Sequence, residues 1–173
     1  MVSPASWQAL THPFRAFFDD AEALVGAIDG RLALRAALES TQPFSALTFL
    51  MMKPPSYRVT YLPEILAAIA HGPSQSLLLA RDVLRCLPRA DLEDGVPDFL
   101  DDLLQIGGED AYDRLSEVII ELRLQSALLV LRRSAVDHPD DEVRELHRDL
   151  EDVENDSARW GRLVSEWPIR DAR

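Results

Sequence analysis

Leu62-Pro63-Glu64-Ile65-Leu66 returns 34 positions later as Val96-Pro97-Asp98-Phe99-Leu100. With one inserted residue the match continues, pairing Gly72 with Gly107, Ala80 with Leu115, Val83 with Val118, Leu84 with Ile119 and Leu87 with Leu122. A fixed period near 35 marks a helical hairpin that has been copied and stacked. One such hairpin cannot bury its apolar faces alone, so the copies share a core as a solenoid. The expected fold is all-α: a short right-handed α-solenoid of stacked antiparallel helix hairpins.

Each copy opens with Pro at or near the first helical position, followed by an acid that suits the helix dipole. In the first copy, helix A covers 63–71 and closes at Gly72-Pro73. Helix B covers 74–87, with Ser74 or Ser76 as cap and Leu77, Ala80, Val83, Leu84 and Leu87 as its buried stripe. Pro88 to Gly95 reads as an acidic loop. In the second copy helix A is 97–106, stopped by Gly107-Gly108, and helix B is 109–122 with Leu115, Val118, Ile119 and Leu122 inward. A weaker third copy fits at an offset of 31, aligning Phe99 with Val130, Leu100 with Leu131, Leu104 with Ala135, Leu115 with Leu146, Ile119 with Leu150 and Leu122 with Val153. No breaker separates residues 122 and 127, so 109–136 reads either as one long helix or as two.

The flanks are helical too. Phe14, Phe17, Phe18, Ala21, Leu24, Val25 and Ile28 recur at helical spacing over 14–28. Helices follow over 31–40 and over 44–52, the second stopped by Pro54-Pro55. Residues 56–61 alternate like a strand, but one short run makes no sheet, so they read as an extended connection or a first helical turn. At the far end Trp160, Leu163, Val164 and Trp167 fall at i, i+3, i+4 and i+7, one apolar face over 157–167. This helix is expected to cap the solenoid; the sharper alternative leaves one Trp exposed as an interface anchor. The whole chain, 1–173, reads as a single domain: N-terminal helices over 1–60, repeats over 62–153, and the cap.

The apolar fraction of 47% beside 28% charged residues excludes wholesale disorder. The densest apolar stretch, Leu122 to Val136, is broken by Arg123, Gln125, Arg132 and Arg133, too short and too polar for a membrane span. The N-terminal residues lack a secretory pattern, and Cys86 is the single cysteine, which excludes an intrachain disulfide and a Cys-rich zinc site. A cytoplasmic location is expected. Bases are almost all Arg, with Lys53 the single lysine, a compositional hint of a GC-rich bacterial genome. The net charge of −12 is unevenly placed: residues 1–87 hold 7 acids and 7 bases, residues 88–173 hold 23 acids and 11 bases. Such asymmetry argues against nucleic acid or anionic membrane as partner and favours a basic protein, unless the charge serves solubility alone.

Three features together resemble HEAT-like repeats over about residues 62–153: the Pro-acid-apolar-Leu start of helix A, the Gly turn, and Asp140-Asp141-Glu142-Val143-Arg144 opening a helix B. The tetratricopeptide pattern, with a period of about 34, is absent. The resemblance implies the solenoid fold and, in that family, mostly protein-binding scaffolds. The chain also looks like bacterial immunity proteins in size, acidity and helical repeat. An acidic face of that kind mimics nucleic acid against a basic toxin.

The expected function is therefore a non-enzymatic protein-binding module, without metal or cofactor. Its concrete form is an antitoxin-type inhibitor of a basic toxin; an adaptor or regulatory scaffold is the sibling alternative. The expected partner-binding acids are Asp91, Glu93, Asp94, Asp98, Asp101, Asp102, Glu109, Asp110, Asp113, Glu117, Glu121, Asp140, Asp141, Glu142, Glu145 and Asp149. The helix B row, with Arg81, Asp82, Arg85, Arg114, Arg144 and Arg148 among these acids, is expected on the concave side. A different class, a metal-dependent enzyme, would draw on His138, Asp140, Asp141, His147 and Glu151, of which His147 and Glu151 are i, i+4. No metalloprotease-type signature accompanies them, and a solvated acidic face is the plainer reading. His12 before Pro13 and His71 before Gly72 read as helix-end or turn residues, Cys86 as a small buried thiol. Pro54-Pro55-Ser56-Tyr57 has the letters of a WW-domain ligand, but reads better as a helix stop followed by a packed Tyr.

Overall fold

The computed structural model describes residues 16, 17, 19–23, 26, 30–40, 43–136, 138–145 and 148. Its helices are α1 (Gly30–Leu38), α2 (Phe44–Met51), α3 (Pro55–Val59), α4 (Leu62–His71), α5 (Ser74–Arg85), α6 (Arg89–Gly95), α7 (Pro97–Leu122) and α8 (Gln125–Val136). Residues 19–23 and 141–145 are helical as well, and no strand occurs among the described residues. The fold is all-α. None of these helices is long and apolar enough to cross a membrane.

Proline and glycine set the boundaries. Pro54 is extended (φ −63°, ψ 155°) and Pro55 takes the first turn of α3. Gly72 and Pro73 are both extended between α4 and α5. Inside α7, Gly108 has φ 59° and ψ −153° and breaks the helix into two halves. That backbone region is essentially open to Gly alone. Gly107 serves a different need: a Cβ there would lie 2.1 Å from the Ala111 Cβ and 2.6 Å from Cε1 of His71. The helices can pass only because the side chain is missing.

The core forms where helices from separate parts of the chain meet. α4 packs on α7 and on α5, α2 on α5, α1 on α2 and α4, and α8 on α7 and α6. The expected inward residues Ala80, Val83, Leu84, Leu115, Val118 and Ile119 are all buried. Leu77 and Leu122 are half-buried at its margin. Of the third copy, Leu131 and Ala135 are buried and Val130 half-buried. Leu146, Leu150, Val153 and the 157–167 segment lie outside the described residues, as does His12.

Polar bonds join helices at nearly constant sequence separations. Arg81 pairs with Glu117 and Arg85 with Glu121, both 36 residues apart. Arg89 donates to the Arg123 carbonyl, 34 residues on, at 2.9 Å. Ser134 donates to Asp101, 33 residues away, at 2.6 Å.

Two local expectations are corrected and two open alternatives are decided. Residues 88–95 are not a loop: Arg89–Gly95 is helix α6, anchored by buried Leu92 and followed by buried Val96. A single i, i+4 apolar pair amid charges is too sparse a pattern to read in sequence. Of the two readings of residues 56–61 the helical turn holds: Pro55–Val59 form α3, and the Tyr57 and Tyr61 rings lie tilted against each other at i, i+4 with centroids 5.4 Å apart. The stretch 109–136 is two helices, since Arg123 adopts the left-handed conformation (φ 55°, ψ 44°) and ends α7. Neither Ser74 nor Ser76 caps α5: Pro73 holds the cap position, and the Ser76 hydroxyl donates back to the Pro73 carbonyl at 3.2 Å.

Candidate partner-binding surface

Residues 89–122, which build α6 and α7, contain 11 acidic and 2 basic side chains. The structure sorts the acids into two kinds.

The first kind holds the molecule together. Glu93 on α6 accepts the backbone N–H groups of Gln125 at 3.3 Å and Ser126 at 3.1 Å, the first residues of α8. It also pairs with Arg89 at 3.1 Å. It is a helix cap supplied from another helix, and the N-terminal end of a helix suits its negative charge. Burial pushes its carboxyl up, but the N–H of Ser126, the Arg89 guanidinium and the N–H of Gln125 outweigh it and hold it below the usual carboxylate range. Glu117 and Glu121 are taken by Arg81 and Arg85 of α5. Asp101 accepts from Ser134 and lies 3.7 Å from Arg133. Asp141 pairs with Arg144, and Asp140 caps the next helix by accepting the Glu142 N–H at 3.0 Å.

The second kind stays uncompensated. Asp91, Asp94, Asp98, Asp102, Asp110 and Asp113 are exposed and form no ion pair or side-chain hydrogen bond among the described residues. Glu145 is likewise exposed, and Asp149 lies outside the described residues. Asp98 and Asp102 are i, i+4 on the first half of α7, opposite buried Leu100 and Leu104. The helix B row, expected to face a partner, is largely self-neutralised: Arg81 with Glu117, Arg85 with Glu121 and Asp82, and Arg114 donating to the Gly72 carbonyl at 2.7 Å. Of the uncompensated acids, Asp91 and Asp94 lie on α6, and Asp98, Asp102, Asp110 and Asp113 on α7.

Glu109 and Glu142 meet where the second half of α7 begins. The hydrogen bond to Glu142 and the charge of Glu142 lead the causes that push the Glu109 carboxyl up to about 7; slight desolvation, Asp140 and Asp110 add to them. A neighbouring negative charge disfavours ionisation of the Glu109 carboxyl. His138 is engaged locally: its Nδ1 accepts the Asp140 N–H at 3.2 Å. Among the described residues no group of three or more His, Cys, Asp or Glu side chains is placed to hold a metal ion. His147 and Glu151 lie outside them.

Several roles are visible only in three dimensions. Glu64, read as a dipole-suited acid at a helix start, is buried and bonded to Arg35 of α1 at 2.8 Å. Arg58 is buried and donates to the carbonyls of Lys53 at 2.7 Å and Cys86 at 3.3 Å. The Cys86 thiol is exposed, not buried, at the C-cap position that ends α5. His71 lies against Gly107; partial burial, then Arg114, hold its imidazole below its usual value. Tyr57 is packed between Phe49 and Tyr61, beside the Lys53 ammonium 4.6 Å from the Phe49 ring centroid. Compared with known proteins, the chain matches no family model, no curated protein and no solved structure.

Proposed function

We propose that the chain is a short right-handed α-solenoid of HEAT-like hairpins that binds a basic protein through the free carboxylates of α6 and α7. The observation that carries this reading is the division of the acids. Those at inter-helix seams are neutralised, while Asp91, Asp94, Asp98, Asp102, Asp110 and Asp113 are exposed and unpaired among the described residues. Seam acids explain themselves by stability; a run of uncompensated charge on rigid helices does not. The solenoid part of the reading is supported by bonds that recur between residues 33 to 36 positions apart. An inhibitor of a basic toxin is the concrete version, because an acidic surface both attracts such a partner and mimics the phosphates it recognises.

Affinity capture from a native lysate, followed by association kinetics on the captured protein, tests the reading. Replacing Asp91, Asp94, Asp98 and Asp102 by Asn is expected to slow association and flatten its salt dependence, since exposed charges are screened beyond roughly 8 Å at physiological ionic strength. Replacing the seam acids Glu117 and Glu121 by Gln is expected to alter stability and leave association nearly unchanged. An acidic partner, or rates indifferent to salt and to the Asn substitutions, would overturn the proposal.

A further inference from the structure

We propose that the break in α7 at Gly108 is an acid-sensitive hinge, with His71 gripping one side of the second half of α7 and the Glu109–Glu142 pair the other. Acidification swings that half away from the end of α4 and toward the helix at 141–145. This inference is independent of what the acidic face binds.

The hinge is Gly108 itself. Its φ of 59° and ψ of −153° join the two halves of α7 through one non-helical residue. A Cβ there would meet nothing within 4 Å, so no packing locks the break. The second half, by contrast, is held from two directions.

The α4 side is tightly packed. The His71 ring fills the space of a Gly107 side chain, with Cε1 only 2.6 Å from where that Cβ would lie. One residue on, the Gly72 carbonyl accepts a hydrogen bond from Nη1 of Arg114, in the second half of α7, at 2.7 Å. Among the described residues Arg114 is the charge that acts on His71. Glu64, seven residues back on α4, is held by Arg35 of α1, and Arg81 of α5 is held by Glu117. Burial and then Arg114 disfavour the imidazolium. A proton on His71 sets two cations against one seam, so the contact weakens as pH falls through the lowered imidazole value.

The other side works in the opposite sense. Glu109, the first residue after the break, meets Glu142 and Asp140, with Asp110 beside it on α7. Ionised, these carboxylates repel; a proton on Glu109 relieves the repulsion and lets it donate to Glu142. The helix at 141–145 is anchored to receive it. Val143 is buried, the Glu142 N–H is capped by Asp140, and Arg144 donates to the His138 carbonyl. His138 is the other imidazole nearby, and its Nδ1 accepts the Asp140 N–H. Acid thus loosens one seam and tightens the other, and Asp110 and Asp113 move relative to Asp98 and Asp102 across the hinge.

Spin labels read the motion. The full chain with Cys86→Ser, Gln75→Cys and Asp113→Cys carries one label where α5 begins and one on the second half of α7. Their separation by pulsed dipolar spectroscopy is expected to lengthen by several ångström as pH falls from above the Glu109 value of about 7 to well below 6.5, the ordinary imidazole value. Labels at Asp113→Cys and Glu145→Cys, again with Cys86→Ser, are expected to move closer. His71→Gln is expected to abolish the first change and Glu109→Gln the second, with helicity by circular dichroism retained. Should His71→Gln unfold, His71→Asn carries the same test. Separations that stay constant with pH would overturn the proposal. So would changes that persist undiminished in the folded His71 and Glu109 variants, which would assign the response to His138 or to general loosening in acid.

Discussion

Glu93 shows how one side chain can belong to two parts of the chain. It sits on α6, yet the N–H groups it accepts open α8. Glu93→Gln is expected to cost about 1 kcal/mol near neutral pH, the usual scale of a lost helix cap, read as a lowered urea midpoint with unchanged m-value. Its carboxyl titrates lower in the folded chain, so the stability it adds is present above the unfolded value and is lost as pH falls through the folded one. Glu109 works in the opposite sense. Its folded value of about 7 exceeds the ordinary 4.5, so the folded chain keeps the proton longer. The contribution is favourable at low pH and declines as pH rises from about 4.5 to about 7. Glu109→Gln is expected to remove this decline from the pH–stability curve relative to the parent. In Glu142→Gln, the Glu109 carboxyl followed by NMR is expected to titrate closer to the usual carboxylate range. An unchanged titration would show that the two carboxyls do not interact in solution.

At the scale of elements, α7 depends on two adjacent glycines for different reasons. A Cβ on Gly108 would meet nothing within 4 Å, so its requirement is purely conformational. Gly108→Ala is expected to cost roughly 1–3 kcal/mol through backbone strain, measured as a drop in Tm. A straightened α7 with equal stability would show that the break is incidental. Gly107 is required by space, because His71 and Ala111 occupy the volume of a side chain. The fragment α6 is sustained in another way: seven residues are too few to be stable alone, and Leu92 and the Glu93 bonds to α8 hold it in place.

At the scale of the molecule, stability rests on apolar side chains shared between helices distant in sequence. Leu84 of α5 and Ile119 of α7 are 0% and 1% exposed. Leu84→Ala and Ile119→Ala are each expected to lower unfolding free energy by about 2–5 kcal/mol, measured by chemical denaturation. Two unchanged midpoints would show that these positions do not sit in the shared core. The ion pairs Arg81–Glu117 and Arg85–Glu121 run beside that core at partly exposed positions. Such pairs contribute little, roughly 0.2–1 kcal/mol each, and serve mainly to fix which residues face one another.

The sequence by itself determined the all-α class, most helix positions and the inward stripe from Ala80 to Ile119. These follow from local causes: period-3.6 apolar spacing, and Pro and Gly that cannot continue a helix. It also revealed that the negative charge lies after residue 87. Tertiary structure decided which acids are free. Asp98 and Glu117 look alike in sequence, and only the approach of α5 gives Glu117 an arginine. Glu64 and Glu93 are likewise claimed by Arg35 and by α8. The left-handed turn at Arg123 gave no signal, since Arg is not the residue that conformation favours. It is set where Leu124 is buried and α8 folds back on α7. Hydrophobic period is written along the chain; the pairing of charges depends on distances that exist only once the helices have met.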